Sequence, residues 1–318
     1  MASVVVGIDL GGTIVRAGAL NLEGKLLAVE KQTIEAQRGP QIGMARIQSL
    51  IESVCRDGGG GDLLGVGIGC SGPVDPDMGV ISNPHTLPTW ENVPIVAWLT
   101  SQLGVPVALE NDADVAALGE YWQGAGKNVS RLYAITVGTG IGAALIIDGQ
   151  IYRGLDGAHP DGGHHVVDPS GPVCYCGAHG CWESLASGSA IARRAQERVA
   201  EFPSSLILEM AGGVPNSIDA RLVAEAAQLG DPLSEEIMVQ AANYFSLGLI
   251  NIVMLFVPEV IVLSGGVMKS VDLFMPAIQN VLRKHDVMVP ARRVRVIPAA
   301  LGYYAGLYGA AYTIIKRL

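Results

Sequence analysis

The sequence predicts an α/β protein of two domains. Three observations carry that expectation. The chain has 318 residues, about twice what one ordinary core needs. It is 49% hydrophobic and only 16% charged, with 41 glycines, a composition that suits strands and helices joined by many tight turns. A strand–glycine–strand pattern near the start also recurs in the middle of the chain.

Val4 to Leu10 is a β-rich run that stops at Gly11-Gly12-Thr13, and a second apolar run, Ile14 to Leu20, ends in a turn at Asn21 to Gly24. The chain thus opens on a hairpin with a glycine tip. Tyr133 to Val137, Gly138-Thr139-Gly140, Ile141 to Ile147 and the turn Asp148-Gly149 repeat that layout, with Gly11 falling on Gly138, Gly12 on Thr139 and Ile14 on Ile141. Two related halves facing one another across a cleft are implied. Ile42, Ile47, Leu50, Ile51 and Val54 predict a helix over Gln41 to Arg56, ended by Gly58 to Gly61. Strands follow at 64–68 and 105–109, and Asp112 opens the next helix. Helices are expected near 183–201, 217–229 and 232–256, and strands near 259–263 and 293–297. An amphipathic segment, 305–316, packs back on the first domain. The expected division is 1–117 plus 303–318 for a small N-terminal domain, and 118–302 for a larger one carrying a metal loop at 157–183.

A net charge of −9 argues against a nucleic-acid partner, because such a partner needs a basic patch to displace counterions. The opening MASVVVGIDLGG has no basic leader and reads as a first strand, so a cytoplasmic location is expected. The most membrane-like stretch, 247–263, is about 17 residues long and is interrupted by Asn251, Pro258 and Glu259. It predicts a buried helix followed by a strand rather than a membrane span. Three of the five cysteines crowd between 174 and 181, which favours metal over disulfides; Cys55 and Cys70 read as packing residues.

The loop Asp9-Leu10-Gly11-Gly12-Thr13 lets backbone amides approach a phosphate, although the same glycines also serve an ordinary hairpin turn. A strand follows it, so it is not a dinucleotide fingerprint, and there is no Walker sequence. Gly138-Thr139-Gly140, in the matching position, favours the phosphate reading. Ser264-Gly265-Gly266-Val267 ends the strand Val260 to Leu263, the place where open α/β sheets bind ligands. Leu109-Glu110-Asn111-Asp112-Ala113-Asp114 ends a strand and begins a helix, putting carboxylates at a positive helix terminus. Taken alone, Asp112 or Asp114 reads as an N-cap. His164, Cys174, Cys176 and Cys181 form H-x9-C-x-C-x4-C, with Gly171, Gly177 and Gly180 turning the chain. Three thiolates and an imidazole satisfy tetrahedral zinc and leave no open position, so the metal would be structural. Free thiols or a Cys174–Cys181 disulfide are the competing readings. His165 and His179 are spare ligands nearby, and His85 and His159 read as solvated loop residues.

These residues together resemble the ROK family (repressors, unannotated frames and kinases), a branch of the actin-like, hexokinase-like sugar kinases. The resemblance rests on Asp9-Gly11-Gly12-Thr13, Cys70-Ser71-Gly72-Pro73-Val74, Asn111-Asp112, Gly138-Thr139-Gly140, and Pro258 to Leu263 before Gly265-Gly266. Most specific is Cys174-x-Cys176-Gly177-x-x-Gly180-Cys181-x-Glu183. It implies two actin-like (ribonuclease H-like) α/β domains flanking a cleft, and an ATP-dependent sugar kinase. Asp112 is then the base that takes a proton from a sugar hydroxyl, usually O6, as it attacks the γ-phosphate of Mg-ATP. Gly72, Asn111, Asp161, His164 and Glu183 are then sugar ligands. Asp9 and the two glycine loops hold the phosphates and Mg2+, and Gly265 and Gly266 belong to the adenosine site. Zn2+ on His164 and the three cysteines orders the sugar loop. Relatives form dimers or tetramers, so a homodimer or homotetramer is implied.

Two positions depart from the family pattern: Asp161-Gly162-Gly163-His164 stands where Glu-x-Gly-His is usual, and Ser71 stands where Pro is frequent. The shorter carboxylate bears on the choice of sugar, which is expected to be glucose, with N-acetylmannosamine, N-acetylglucosamine, fructose and allose as alternatives. The competing classes are a sugar-responsive repressor, which would need a DNA-binding segment before the first strand, and a non-catalytic sugar-binding protein.

Overall fold

The computed structural model describes residues 3–318. The chain forms two units, Met1–Ser130 with Ile146–Ile151 and Ala299–Leu318, and Arg131–Leu145 with Tyr152–Pro298.

In the first unit, β2 (Ile14–Leu20) runs antiparallel to both of its neighbours, β1 (Val4–Leu10) and β3 (Leu26–Thr33). β1 is covered on both faces, which is why its sequence is a continuous apolar run rather than an alternating one. Edge strand β3, in contrast, alternates exposed and half-buried residues along its second half. α1 (Pro40–Asp57) starts on a proline and buries Met44, Ile47, Leu50, Ile51 and Val54. β4 (Leu63–Cys70) joins β1 in parallel. A short antiparallel ribbon, β5 (Val74–Asp75) with β6 (Val80–Ile81), follows. After α2 (Ile95–Leu103) comes β7 (Val107–Asn111), parallel to β4, and then α3 (Asp112–Trp122). The sheet order is β3-β2-β1-β4-β7.

The second sheet begins with β8 (Arg131–Val137), β9 (Ile141–Ile147) and the short β10 (Gln150–Ile151). Helices α4 (Trp182–Ala186), α5 (Gly188–Arg198), α6 (Leu206–Met210), α7 (Ala220–Gln228) and α8 (Pro232–Phe256) come next. β11 (Val260–Ser264), α9 (Met275–Lys284) and β12 (Arg295–Pro298) follow. The sheet order, β10-β9-β8-β11-β12, matches that of the first sheet strand for strand, with β8, β11 and β12 parallel. The helix expected at 183–201 is broken at Ser187, whose hydroxyl accepts from the Ala190 amide and caps α5. Among the described residues α8 is the one helix long and apolar enough to cross a bilayer. It buries Ile237, Ala241, Phe245, Leu249 and Val253 at helical spacing against α4, α5, α7 and α9.

The chain returns to the first unit with α10 (Ala305–Ile315). Here the packing is backbone against backbone. A Cβ on Gly7 or Gly67 would overlap the carbonyls of Leu307 or Ala310, and one on Gly309 would overlap Val115 of α3. A boundary at 117/118 cuts through α3, which stays whole with the first unit. The buried Glu120 carboxylate accepts from the amides of Ala125 (2.8 Å), Ala300 (3.0 Å) and Leu301 (2.8 Å), tying the end of α3 to the segment before α10.

Candidate active site

In the first unit the candidate residues collect at the C-terminal ends of the parallel strands. Strand register sets Asp9 beside Gly69, and Gly69 beside Glu110, so the next residues of each strand emerge on one edge. Asp9 receives Arg16 Nη1 at 2.7 Å, the two residues facing each other across the β1–β2 pair. Burial raises the Asp9 carboxyl above its ordinary value and the Asp112 charge adds to the rise, against the pull of Arg16. The Gly11-Gly12-Thr13 loop closes through the Gly11 amide to Ile14 O, 3.0 Å, and a Cβ at Gly12 would overlap the Thr86 backbone. Fully buried Asn83 fixes the neighbouring connection, donating to Ser71 O (2.8 Å) and Thr86 Oγ1 (2.6 Å).

Asn111, rather than Asp112 or Asp114, is the N-cap of α3; its side chain accepts from the Ala113 amide at 2.9 Å. Adjacent residues of the same capping class left that choice open in the sequence. Asp112 is the first residue of the helix. Its Oδ1 accepts from the Ala113 amide at 2.8 Å, and its Oδ2 accepts from Ser71 Oγ at 2.7 Å. Both carboxylate oxygens are thus oriented by donors at a positive helix terminus. Gly72 packs against the Asn111 amide. Asp114 is fully buried, away from the strand-edge surface.

In the second unit, the Gly138-Thr139-Gly140 turn is held from both sides. Its own Gly138 amide reaches Gly140 O at 2.9 Å, while the amides of Gly188 and Ser189 at the start of α5 reach Gly138 O and Thr139 O. Gly265 has φ +94° and lies on the Val137 backbone so closely that any side chain would collide. Gly138, Thr139, Gly188, Ser189, Ala192, Ala220, Ala224, Gly266 and Val267 line a cavity of about 810 Å3, rimmed by Arg221, Glu225 and Lys269. Sequence reasoning found Gly138, Thr139 and Gly266 of this cavity and missed the helical walls. The signal was present as small residues one turn apart, Gly188 with Ala192 and Ala220 with Ala224.

The four metal candidates come together, with all their ligand atoms within 4.8 Å of one another. Cys174 Sγ lies 3.4 Å from His164 Nδ1, and Cys176 Sγ lies 3.5 Å from Cys181 Sγ. Zinc bond lengths of about 2.3 Å to sulfur and 2.0 Å to nitrogen put tetrahedral edges at roughly 3.6 to 3.8 Å, and a disulfide would need about 2.0 Å. The cluster therefore fits a metal ion, and all five cysteines are free. Gly177 (φ +93°) and Gly180 (φ +65°) make the knuckle, with Cys174 N to Ala178 O and Gly180 N to Pro172 O closing it. A backbone hydrogen bond from Ala178 lowers the Cys176 thiol to about 7, whereas burial and the neighbouring sulfurs raise Cys181 to about 12. Three thiolates at this spacing need a cation among them. Of the spare histidines, His165 turns away: its Nδ1 meets Gly162 O at 2.6 Å, and its ring packs on buried Trp182.

The knuckle leads directly into α4, so Glu183 stands in the first turn of that helix, just past Cys181. Trp182 anchors it, stacked on Phe245 with Nε1 donating to Phe245 O. Glu183 Oε2 accepts from the Ile141 amide at 2.7 Å, which ties the metal loop to the second glycine turn. Asp161 Oδ2 lies 3.7 Å from His164 Nε2, on the imidazole edge opposite the sulfurs. The same Nε2 is 2.8 Å from the hydroxyl of Tyr175, a phenol that burial and the neighbouring Glu183 charge hold above its ordinary value. Nothing in the sequence singled out Tyr175, which sits between two cysteines.

This arrangement has close relatives. A glucokinase of Thermotoga maritima is 33% identical over 99% of this chain and 98% of its own. A ROK hexokinase of Thermus thermophilus superposes with a TM-score of 0.83 at 32% identity, covering 99% of this chain and all of that one. A ROK family glucokinase of Streptomyces griseus, solved with glucose and AMPPNP, superposes with a TM-score of 0.74 at 32% identity over 98% of each chain. The ROK family model matches residues 5–317, almost the whole length on which the two glycine hairpins and the cysteine knuckle are strung. On that match the chain belongs to the ROK family.

Proposed function

We propose that this chain is an ATP-dependent hexose kinase of the glucokinase type, transferring the γ-phosphoryl group of Mg-ATP to a sugar hydroxyl, O6, with glucose the leading substrate. One observation carries the reading: an aspartate at the first position of a strand-edge helix, Asp112, with both oxygens oriented by neighbouring donors, in a chain 32–33% identical to glucokinases over nearly its full length.

In this reading Asp112 accepts the hydroxyl proton as that oxygen forms its bond to the γ-phosphorus and the bond to the β-bridging oxygen breaks, releasing ADP. A positioned base contributes about 10²- to 10⁴-fold, and phosphoryl transfer depends otherwise on positioning and charge. Asn111, Gly72, Asp161, His164 and Glu183 orient the sugar through paired hydrogen bonds to vicinal hydroxyls. Gly11, Gly12 and Thr13 with Gly138, Thr139 and Gly140 present backbone amides to the phosphates. Asp9 offers the hard oxygen ligand that Mg2+ takes alongside phosphate. Gly265, Gly266 and the small-residue walls of the 810 Å3 cavity suit an adenosine. Zn2+ on His164, Cys174, Cys176 and Cys181 would supply no open coordination site, only rigidity for the loop that carries Glu183.

The carboxylate at Asp161 is one methylene shorter than the glutamate of the family pattern, so its sugar contact is direct only for a ring that sits closer, or is bridged by water. Cytoplasmic location and a homodimer or homotetramer complete the reading, by likeness to the family. The competing reading, a sugar-responsive regulator or a sugar-binding protein, has less support because it gives the oriented Asp112 nothing to do. A coupled ADP-release assay across hexoses and N-acetylhexosamines tests the proposal. Turnover is expected, with the highest kcat/KM for glucose. Sugar binding without turnover on any member would overturn the kinase reading in favour of a sensor.

A further inference from the structure

We infer that Tyr175 is a built-in competitor for the sugar: its phenol occupies a hydroxyl position between His164 and Glu183, and substrate must displace it. The inference rests on the assignment of those two residues to the sugar under the proposed function.

The geometry makes the phenol a sugar hydroxyl surrogate. His164 turns Nδ1 toward Cys174 Sγ at 3.4 Å, so with that nitrogen committed to the cluster the proton of a neutral ring sits on Nε2. Nε2 then donates to the Tyr175 oxygen at 2.8 Å, and the Tyr175 proton is left to turn toward the neighbouring Glu183 carboxylate, whose charge helps hold that phenol above its ordinary value. An alcohol of a sugar ring bound between an imidazole N–H and a carboxylate makes this same pair of bonds, accepting one and donating the other. One position cannot hold both oxygens.

Tyr175 is also placed to leave. Its backbone is pinned on either side by the knuckle cysteines, but the residue is 84% exposed, and among the described residues its one contact with another aromatic ring is an edge-on approach to His164, 4.9 Å between centroids. The side chain is thus held at its tip and free along its length, so a rotation about its first torsion swings the hydroxyl into solvent without moving the metal ligands. Dissociation constants scale inversely with the fraction of molecules in the competent state. A seated phenol holding roughly nine-tenths of the population therefore weakens sugar binding about tenfold.

The test uses the full chain, with Tyr175→Phe to remove the hydroxyl and Tyr175→Ala to remove the ring. Glucose binding is titrated calorimetrically without nucleotide, and KM and kcat are measured with saturating Mg-ATP. Both variants are expected to bind glucose about three- to tenfold more tightly and to show a matching fall in KM. Zinc content should be unchanged, and kcat and the KM for ATP should stay within about twofold. Unchanged affinity in both variants would overturn the inference, as would failure of wild type and both variants alike to bind sugar. Weaker binding in Tyr175→Phe would make the hydroxyl a sugar ligand instead. A wild-type protein that binds glucose without turnover would fail the kinase reading while leaving the calorimetric comparison intact.

Discussion

Replacing Asp112 with asparagine separates chemistry from architecture. The carboxylate has two jobs in the structure, accepting from the Ala113 amide through Oδ1 and from Ser71 Oγ through Oδ2. An asparagine keeps the first bond with its carbonyl. It meets the serine with an amide, to which the hydroxyl can turn and accept. What remains is loss of one negative charge at the α3 terminus, worth about 0.3–1 kcal/mol, where Asn111 still caps the helix and Asp114 still lies in the first turn. For a chain of this size that is a fall in Tm of roughly 0.5–1.5 °C. The asparagine cannot take a proton, so kcat should drop by about 10²- to 10⁴-fold, or roughly 2.7–5.4 kcal/mol of barrier. Coupled ADP release at saturating glucose and Mg-ATP reads the first quantity, and a circular-dichroism melt reads the second. Turnover within about threefold of wild type would refute the role of base. A collapse of the fold in place of turnover would return Asp112 to a structural part.

Three further outcomes follow from the same geometry. Elemental analysis should find about one zinc per chain, and Cys176→Ser should lower that content while weakening glucose binding more than about tenfold; sugar affinity indifferent to metal loss would uncouple the knuckle from Glu183. Asp9 has a raised carboxyl, chiefly from burial, so its proton favours the folded state at low pH and that contribution is lost as pH climbs through the folded value. Ionised Asp9 therefore costs stability at pH 7. Asp9→Asn should melt no lower than wild type at pH 7, lose any advantage below about pH 3.8, and raise the KM for Mg-ATP; a lower Tm at pH 7 would mean that the Arg16 pair outweighs burial. Finally, Ala224→Leu, at the wall of the 810 Å3 cavity, should raise the KM for ATP by about tenfold or more with glucose affinity unchanged, and an unchanged KM would remove the cavity from nucleotide binding.

What was readable in the sequence was whatever chemistry forces locally. The cysteine spacing left few options for four soft ligands crowded between His164 and Cys181, and the structure gathers all four. The glycine hairpins were legible because two strands joined through a tight loop need those residues wherever they occur. Elements defined by distant partners were not. β3 is an edge strand that opens on four apolar residues but whose second half puts half-buried Glu30 and Gln32 between exposed Val29, Lys31 and Thr33, so no alternating apolar face announces it. α9 buries only Ile278, Val281 and Leu282 along its length. The break between α4 and α5 at Ser187 is set by the hydrogen bonds of Gly188 and Ser189 to Gly138 and Thr139, far back in the chain, which no local window contains. Tyr175 was hidden for a related reason: its meaning lies in where two other side chains point.

The glycine seam under α10 has a consequence for how the protein is made. Segments from both ends of the numbering complete the first unit, so the stretch up to Ser130 leaves the ribosome with the face of β1 and β4 uncovered and must wait while Arg131 to Pro298 is synthesised. During that interval the exposed strip is a ready surface for a chaperone or for aggregation. A bulky substitution at Gly67 should therefore show first as lost soluble yield during expression, before any purified enzyme is assayed.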